Sequence, residues 1–140
     1  MQFLRAVAIA VIHFQLVAST PASIQDLETT CGALGVMKID KNTLPQGVDP
    51  DHVRKCLNHP ESLLRERSEG QVFKRECWNG AKYGCSKNGY CWRQCGTGGE
   101  WCWAADDGGY GAWIRCTKFE DCSDSMPCGQ GNCKDCGCSC

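Results

Sequence analysis

The chain has 140 residues, 14 of them cysteine, with 15 basic and 16 acidic side chains for a formal charge of −1. A balance so near neutrality excludes a strongly cationic membrane-lytic peptide and a nucleic-acid binder, whose partners call for a large positive field. So many cysteines in so short a chain are not expected as free thiols of a cytosolic protein, where structural disulfides do not persist, and their even number suits full pairing as disulfides.

Residues 1–22 have the pattern of a secretory signal peptide. Arg5 supplies the positive start, Ala6 to Ile12 and Phe14 to Ala18 the apolar stretch, and Ser19, Thr20 and Ala22 the small residues around a cleavage site. A bilayer span takes about 20 apolar residues, and this run is shorter and interrupted by His13. No other stretch is apolar enough to span, so a secreted, extracellular product is expected. No Asn-x-Ser/Thr sequon occurs, and N-glycosylation is not expected.

Residues 23–75 read as a short, helical, propeptide-like region. They hold only Cys31 and Cys56, lack tryptophan and tyrosine, and carry no net charge. Asp49-Pro50 pairs an N-cap carboxylate with proline at the first helical position, which predicts a helix through Val53 and Cys56 that stops before Pro60. A second short helix is predicted from Pro60 to about Glu69, ended by Gly70. Cys31 and Cys56 most simply pair with each other, with a bridge into the later region as the alternative. Lys74-Arg75 is the dibasic pair that processing proteases cut in secretory precursors, or else two ordinary surface charges. A cut after Arg75 would leave an even number of cysteines on each side.

Residues 76–140 form the cysteine-rich module, with Cys77, Cys85, Cys91, Cys95, Cys102, Cys116, Cys122, Cys128, Cys133, Cys136, Cys138 and Cys140. That density, far above the roughly 8–10 percent that marks a disulfide scaffold, predicts at least six bridges in a segment too small to fold on apolar burial alone. Cys91-Trp92-Arg93-Gln94-Cys95 suggests a helical turn with cysteines at i and i+4. Glu100 to Ala104 alternates with period two and reads as a strand, Asp106 to Gly111 as a glycine-bearing turn, and Ala112 to Cys116 as a returning strand. The expected fold is small and disulfide-rich: a cystine-stabilised αβ or knottin-like core with a β-hairpin. If Cys31 pairs with Cys56, an odd number of bridges must join the segment up to Cys122 to the tail. The run Cys136-Gly137-Cys138-Ser139-Cys140 also has a thiolate metal-binding reading, against which an oxidising pathway favours disulfides. No cofactor is expected.

Two resemblances bear on role. Glu76-Cys77-Trp78, Tyr83-Gly84-Cys85-Ser86, Gly89-Tyr90-Cys91-Trp92, Cys95-Gly96, Glu100-Trp101-Cys102-Trp103 and Gly111-Ala112-Trp113 to Cys116 resemble a family of small fungal secreted proteins, the biotrophy-associated effectors and the related proteins induced during vegetative incompatibility. That resemblance implies a virulence-effector or toxin-like role and no mechanism. Cys85-Ser86-Lys87-Asn88-Gly89-Tyr90-Cys91 resembles the signature of hevein-type chitin-binding modules, which implies N-acetylglucosamine contacts through Ser86, Tyr90 and Trp101. Here Trp92 to Cys95 is inserted and Gly84 replaces half of the usual cysteine doublet.

Catalysis is not expected. His13, His52 and His59 all precede the module, Asp106-Asp107 and Glu120-Asp121 are adjacent rather than facing, and no activated-serine or phosphate-loop motif is present. Recognition remains, by a monomer, of an extracellular protein target or of chitin. Strand alternation places Trp101 and Trp103 on one face, joined by Trp113 and Arg115, as an exposed stripe if the cysteines face inward. The competing expectation is that the tail or residues 23–75 cover that stripe.

Overall fold

The computed structural model describes residues 23–63 and 76–140. The signal-peptide pattern, the end of the helix expected to reach Glu69, and Lys74-Arg75 lie outside these residues. All 14 cysteines lie within them and all are paired, in a small disulfide-rich αβ fold with a three-stranded antiparallel sheet and little helix.

Strand β1 (Tyr83–Cys85) pairs with β2 (Cys91–Gln94), and β2 with β3 (Trp101–Trp103), in the order β1-β2-β3. Cys91 to Gln94 is therefore a strand and not the expected helical turn. Spacing of four is even, so it sets two cysteines on one face of a strand as well as on one face of a helix. Long-range backbone bonds decide: the Cys91 N–H donates to the Ile114 carbonyl at 2.9 Å, and the Cys91 carbonyl accepts from the Ala104 N–H at 2.9 Å. The chain after β3 turns at Asp106 to Gly111 as expected. Its return limb pairs Trp113 with Ala105 and Arg115 with Tyr90 through single bridges rather than as a continuous strand.

Six bridges lie within residues 76–140: Cys77–Cys140, Cys85–Cys116, Cys91–Cys122, Cys95–Cys138, Cys102–Cys128 and Cys133–Cys136. Three of them join the segment up to Cys122 to the tail, the odd number that cysteine parity requires. The C-x-C-x-C sulfurs belong to three different bridges, so the metal-binding reading of the tail falls: no thiolate is left there to ligate. Cys91, Ala104, Cys116 and Cys122 form the buried centre, with Tyr83, Ile114 and Met126 packed against it. The sulfurs of Cys91, Cys116 and Cys122 lie within 4.8 Å of one another, so disulfide sulfur fills much of the space that aliphatic side chains fill in larger proteins.

Residues 23–63 carry a helix and a bridge of their own. Helix α1 (Ile24–Cys31), which sequence inspection missed, starts on a capping box: Ser23 Oγ accepts the Asp26 N–H at 3.2 Å, and the Asp26 carboxylate accepts the Ser23 N–H at 3.1 Å. Cys31 pairs with Cys56, the simpler of the two expectations. The helix predicted from Asp49 to Cys56 does not form. Asp49 caps only a tight turn, accepting the Asp51 N–H at 2.9 Å on Oδ1 and the His52 N–H at 3.0 Å on its carbonyl. Beyond it the backbone is drawn into longer-range bonds, Arg54 N–H to the Tyr110 carbonyl and Met37 N–H to the Lys55 carbonyl, and tertiary pairing overrides the local helix signal. Residues 60–63 are helical, with the start at Pro60 as expected.

Candidate functional site

Register and pleat divide the sheet into two faces. Tyr83, Cys91, Arg93 and Cys102 share the disulfide face, and Gly84, Trp92, Gln94, Trp101 and Trp103 share the other. Tryptophans at alternate positions of β2 and β3 thus meet across the strands as an aromatic row. Trp92 and Trp101 pack edge to face at 6.3 Å between centroids, and Trp101 and Trp103 at 5.0 Å. The Trp92 ring lies over Gly84, where a Cβ would stand 2.8 Å from it. The glycine that departs from the hevein-type cysteine doublet is therefore the floor under a tryptophan.

One end of the row reaches the surface. Trp78, 50 % exposed, stands edge to face on Trp92 at 6.2 Å, and its carbonyl is held by the Gln94 side chain. The other end is closed. Trp101 and Trp103 are only 7 % and 3 % exposed, so they form no surface stripe, and the expectation that neighbouring segments cover them is the one that holds. The tail covers Trp101 through a backbone bridge to Ser139, while the Trp101 Nε1–H donates to the Glu76 carbonyl at 3.0 Å. Trp103 is covered by His59, which is fully buried and lies flat on it at 4.1 Å with 2° between the planes.

His59 also meets the edges of Tyr90 at 4.5 Å and Trp113 at 4.9 Å, so three rings of the cysteine-rich module surround one imidazole from residues 23–63. Its Nδ1 accepts the Glu61 N–H at 3.1 Å, an N-cap bond for the helical turn that opens at Pro60. Beside it the Arg54 guanidinium lies 4.1 Å over Trp113 and donates to the Gly109 carbonyl at 2.8 Å and to the Gln130 carbonyl. Burial lowers the Arg54 pKa to about 10, which still leaves the group charged at neutral pH.

Of the residues expected to bind, Trp103 and Trp113 converge on His59, while Trp101 is buried under the tail. Arg115 is exposed and stacks over Tyr90 at 4.2 Å. The three residues of the carbohydrate reading are occupied: the Ser86 hydroxyl donates to Glu61 and accepts the Tyr90 N–H at 3.1 Å, Tyr90 lies between Arg115 and His59, and Trp101 is buried. The residues sequence inspection missed are Trp78, Trp92 and His59. Trp92 was legible once Cys91 to Gln94 was read as a strand, because its parity then matches Trp101 and Trp103. His59 had no local signal beyond standing before Pro60. A second aromatic pair, Tyr83 stacked on Phe119 at 4.6 Å, lies at the other side of the sheet, with Phe119 46 % exposed. No family model, curated protein or solved structure matches this chain.

Proposed function

We propose that the chain is a secreted, disulfide-locked binding protein, effector-like or toxin-like, that engages an extracellular protein through the aromatic surface at Trp78 and Trp92. The observation that carries this reading is the half-exposed Trp78, seated edge to face on Trp92 at the open end of the tryptophan row. A large exposed ring on a rigid, cross-linked support loses little conformational freedom on binding, and tryptophan is among the residues that dominate interface hot spots. Full pairing of 14 cysteines supports an oxidising destination, as does the signal-peptide pattern of residues 1–22. The resemblance of the cysteine and tryptophan pattern to small fungal secreted effectors is in keeping with this reading. The role is one of recognition and not of catalysis. The hevein-like stretch gains no support, because Ser86, Tyr90 and Trp101 already have partners within the chain.

The test pairs activity on host or competitor cells with a chitin pull-down. Trp78→Ala is expected to abolish activity while keeping all seven bridges and a thermal midpoint within a few degrees of the wild type. Full activity in that variant would overturn the reading. Retention on insoluble chitin that is lost in Tyr90→Ala would replace it with the carbohydrate-binding one.

A further inference from the structure

None of the seven bridges joins residues 23–63 to residues 76–140: Cys31–Cys56 closes the first segment on itself, and the other six close the second. The first segment nevertheless sets two buried side chains into the second. His59 enters the space between Tyr90, Trp103 and Trp113, and Arg54 reaches the backbone carbonyls of Gly109 and Gln130. The cage rings stand on different stretches of the module, and the bridges at Cys91, Cys102 and Cys116 flank them closely in sequence. The guest satisfies its own Nδ1 inside its own segment, at the Glu61 N–H. A wholly buried imidazole stacked on an indole, beside a buried arginine on carbonyl oxygens, is the composition of an interface hot spot between two partners.

We propose that residues 76–140 carry a peptide-binding site, the cage of Tyr90, Trp103 and Trp113 with the Gly109 and Gln130 carbonyls beside it. Its ligand class is a peptide presenting a planar ring, imidazole or aromatic, with an arginine five positions earlier. Residues 23–63 occupy this site in cis with no disulfide to it, and become an exchangeable guest once the chain between the two segments is cut. The ring is recognised by stacking on π-faces and the arginine by fixed carbonyl acceptors, so the pair sets both register and direction of the bound peptide. The site is distinct from the Trp78 surface and does not depend on it.

The experiment uses the oxidised full chain, nicked at Lys74-Arg75 with a dibasic-specific endoprotease. Native mass spectrometry is expected to find one particle holding both pieces, and denaturing, non-reducing conditions two. Mixing with an isotope-labelled nicked copy is expected to yield hybrid particles as the smaller pieces exchange. In the nicked His59→Ala chain, association is expected to weaken at least about 30-fold, the size of a hot-spot loss. His59→Phe, which keeps a planar ring, is expected to hold the pieces together. Pieces that separate at once on nicking, that never exchange, or that stay associated equally well in His59→Ala would each overturn the proposal. Peptide mapping of the six bridges within residues 76–140 checks that the variants are folded. Should His59→Ala fail to form them, hybrid formation by the wild type alone decides, its absence counting against the site.

Discussion

Replacing Cys77 and Cys140 by serine tests how the module is held. This bridge has a sequence separation of 63, the longest among the seven. Closed alone, a loop of that length would restrict the unfolded chain by about 4 kcal/mol on the chain-entropy relation. Cys95–Cys138 remains closed in the variant, however, so the shortest covalent path from Cys77 to Cys140 runs only to Cys95 and back from Cys138. That path is about 20 residues, and the same relation then gives a loss of about 3 kcal/mol. The freed ends also carry the Glu76 carbonyl that accepts from Trp101 and the Trp78 N–H that donates to the Gly99 carbonyl at 2.7 Å, so Trp101 should become wetter. For a domain of this size the thermal midpoint should fall by roughly 12–24 °C. The comparison is Cys133→Ser with Cys136→Ser, whose sequence separation of 3 makes the expected loss about 1.6 kcal/mol. Guanidinium unfolding followed by tryptophan fluorescence under non-reducing conditions gives both values from midpoint and slope. Equal losses in the two variants, or a Cys77/Cys140 loss under about 1 kcal/mol, would refute the loop accounting.

Arg54→Lys should cost about 2 kcal/mol or more, because a single ammonium cannot replace a fork that donates to the Gly109 and Gln130 carbonyls, and chemical denaturation measures it. The Arg54 pKa is lowered on folding to about 10, so its contribution to stability rises only as pH climbs above that value, and a titration of Arg54→Met against wild type should show a constant difference between about pH 6 and 9. Asp121 accepts the Thr117 N–H at 2.8 Å, the Thr117 hydroxyl at 2.9 Å and the Lys118 N–H at 3.1 Å, which hold its carboxyl below the usual range. The stabilisation is present above the ordinary carboxylate pKa and lost as pH falls through the lower folded value, so Asp121→Asn should flatten the acid limb of amide exchange at Thr117 and Lys118. Gly109→Ala should destabilise by about 2 kcal/mol or more in the same denaturation assay, since φ is +95° there and the new Cβ would fall 2.1 Å from the Cys128 carbonyl oxygen.

The sequence made the covalent framework legible because parity is a counting constraint: it supports Cys31–Cys56 and demands an odd number of bridges into the tail. It could not choose among the many connectivities of the other twelve cysteines, since that choice depends on which strands lie side by side. Trp101 to Trp103 was readable as a strand because three alternating residues have no competing helical period. Cys91 to Cys95 was not, because a spacing of four suits either element and only the partners at Ile114 and Ala104 separate them. Asp49-Pro50 gave a sound local helix signal that lost to backbone bonds with Met37 and Tyr110. The aromatic surface was misplaced for a related reason. Strand parity told which rings share a face, but it could not choose between an exposed stripe and one covered by residues 23–75 or the tail, nor name His59 as the cover.

The pairing order bears on how such a molecule is made. Only Cys31–Cys56 and Cys133–Cys136 join cysteines that are neighbours along the chain, and the remaining five each pass over nearer candidates. When the chain is oxidised, the nearest thiols of the sheet are therefore always the wrong ones. Early oxidation there yields scrambled species that must be reshuffled, a process of seconds to hours that a thiol–disulfide isomerase shortens. The leading segment meets no such ambiguity: its two cysteines can close before any other has appeared. His59 and Arg54 are then tethered by a closed loop while the sheet is still sorting its bridges, and arrangements that bring Tyr90, Trp103 and Trp113 around that imidazole gain its stacking contacts.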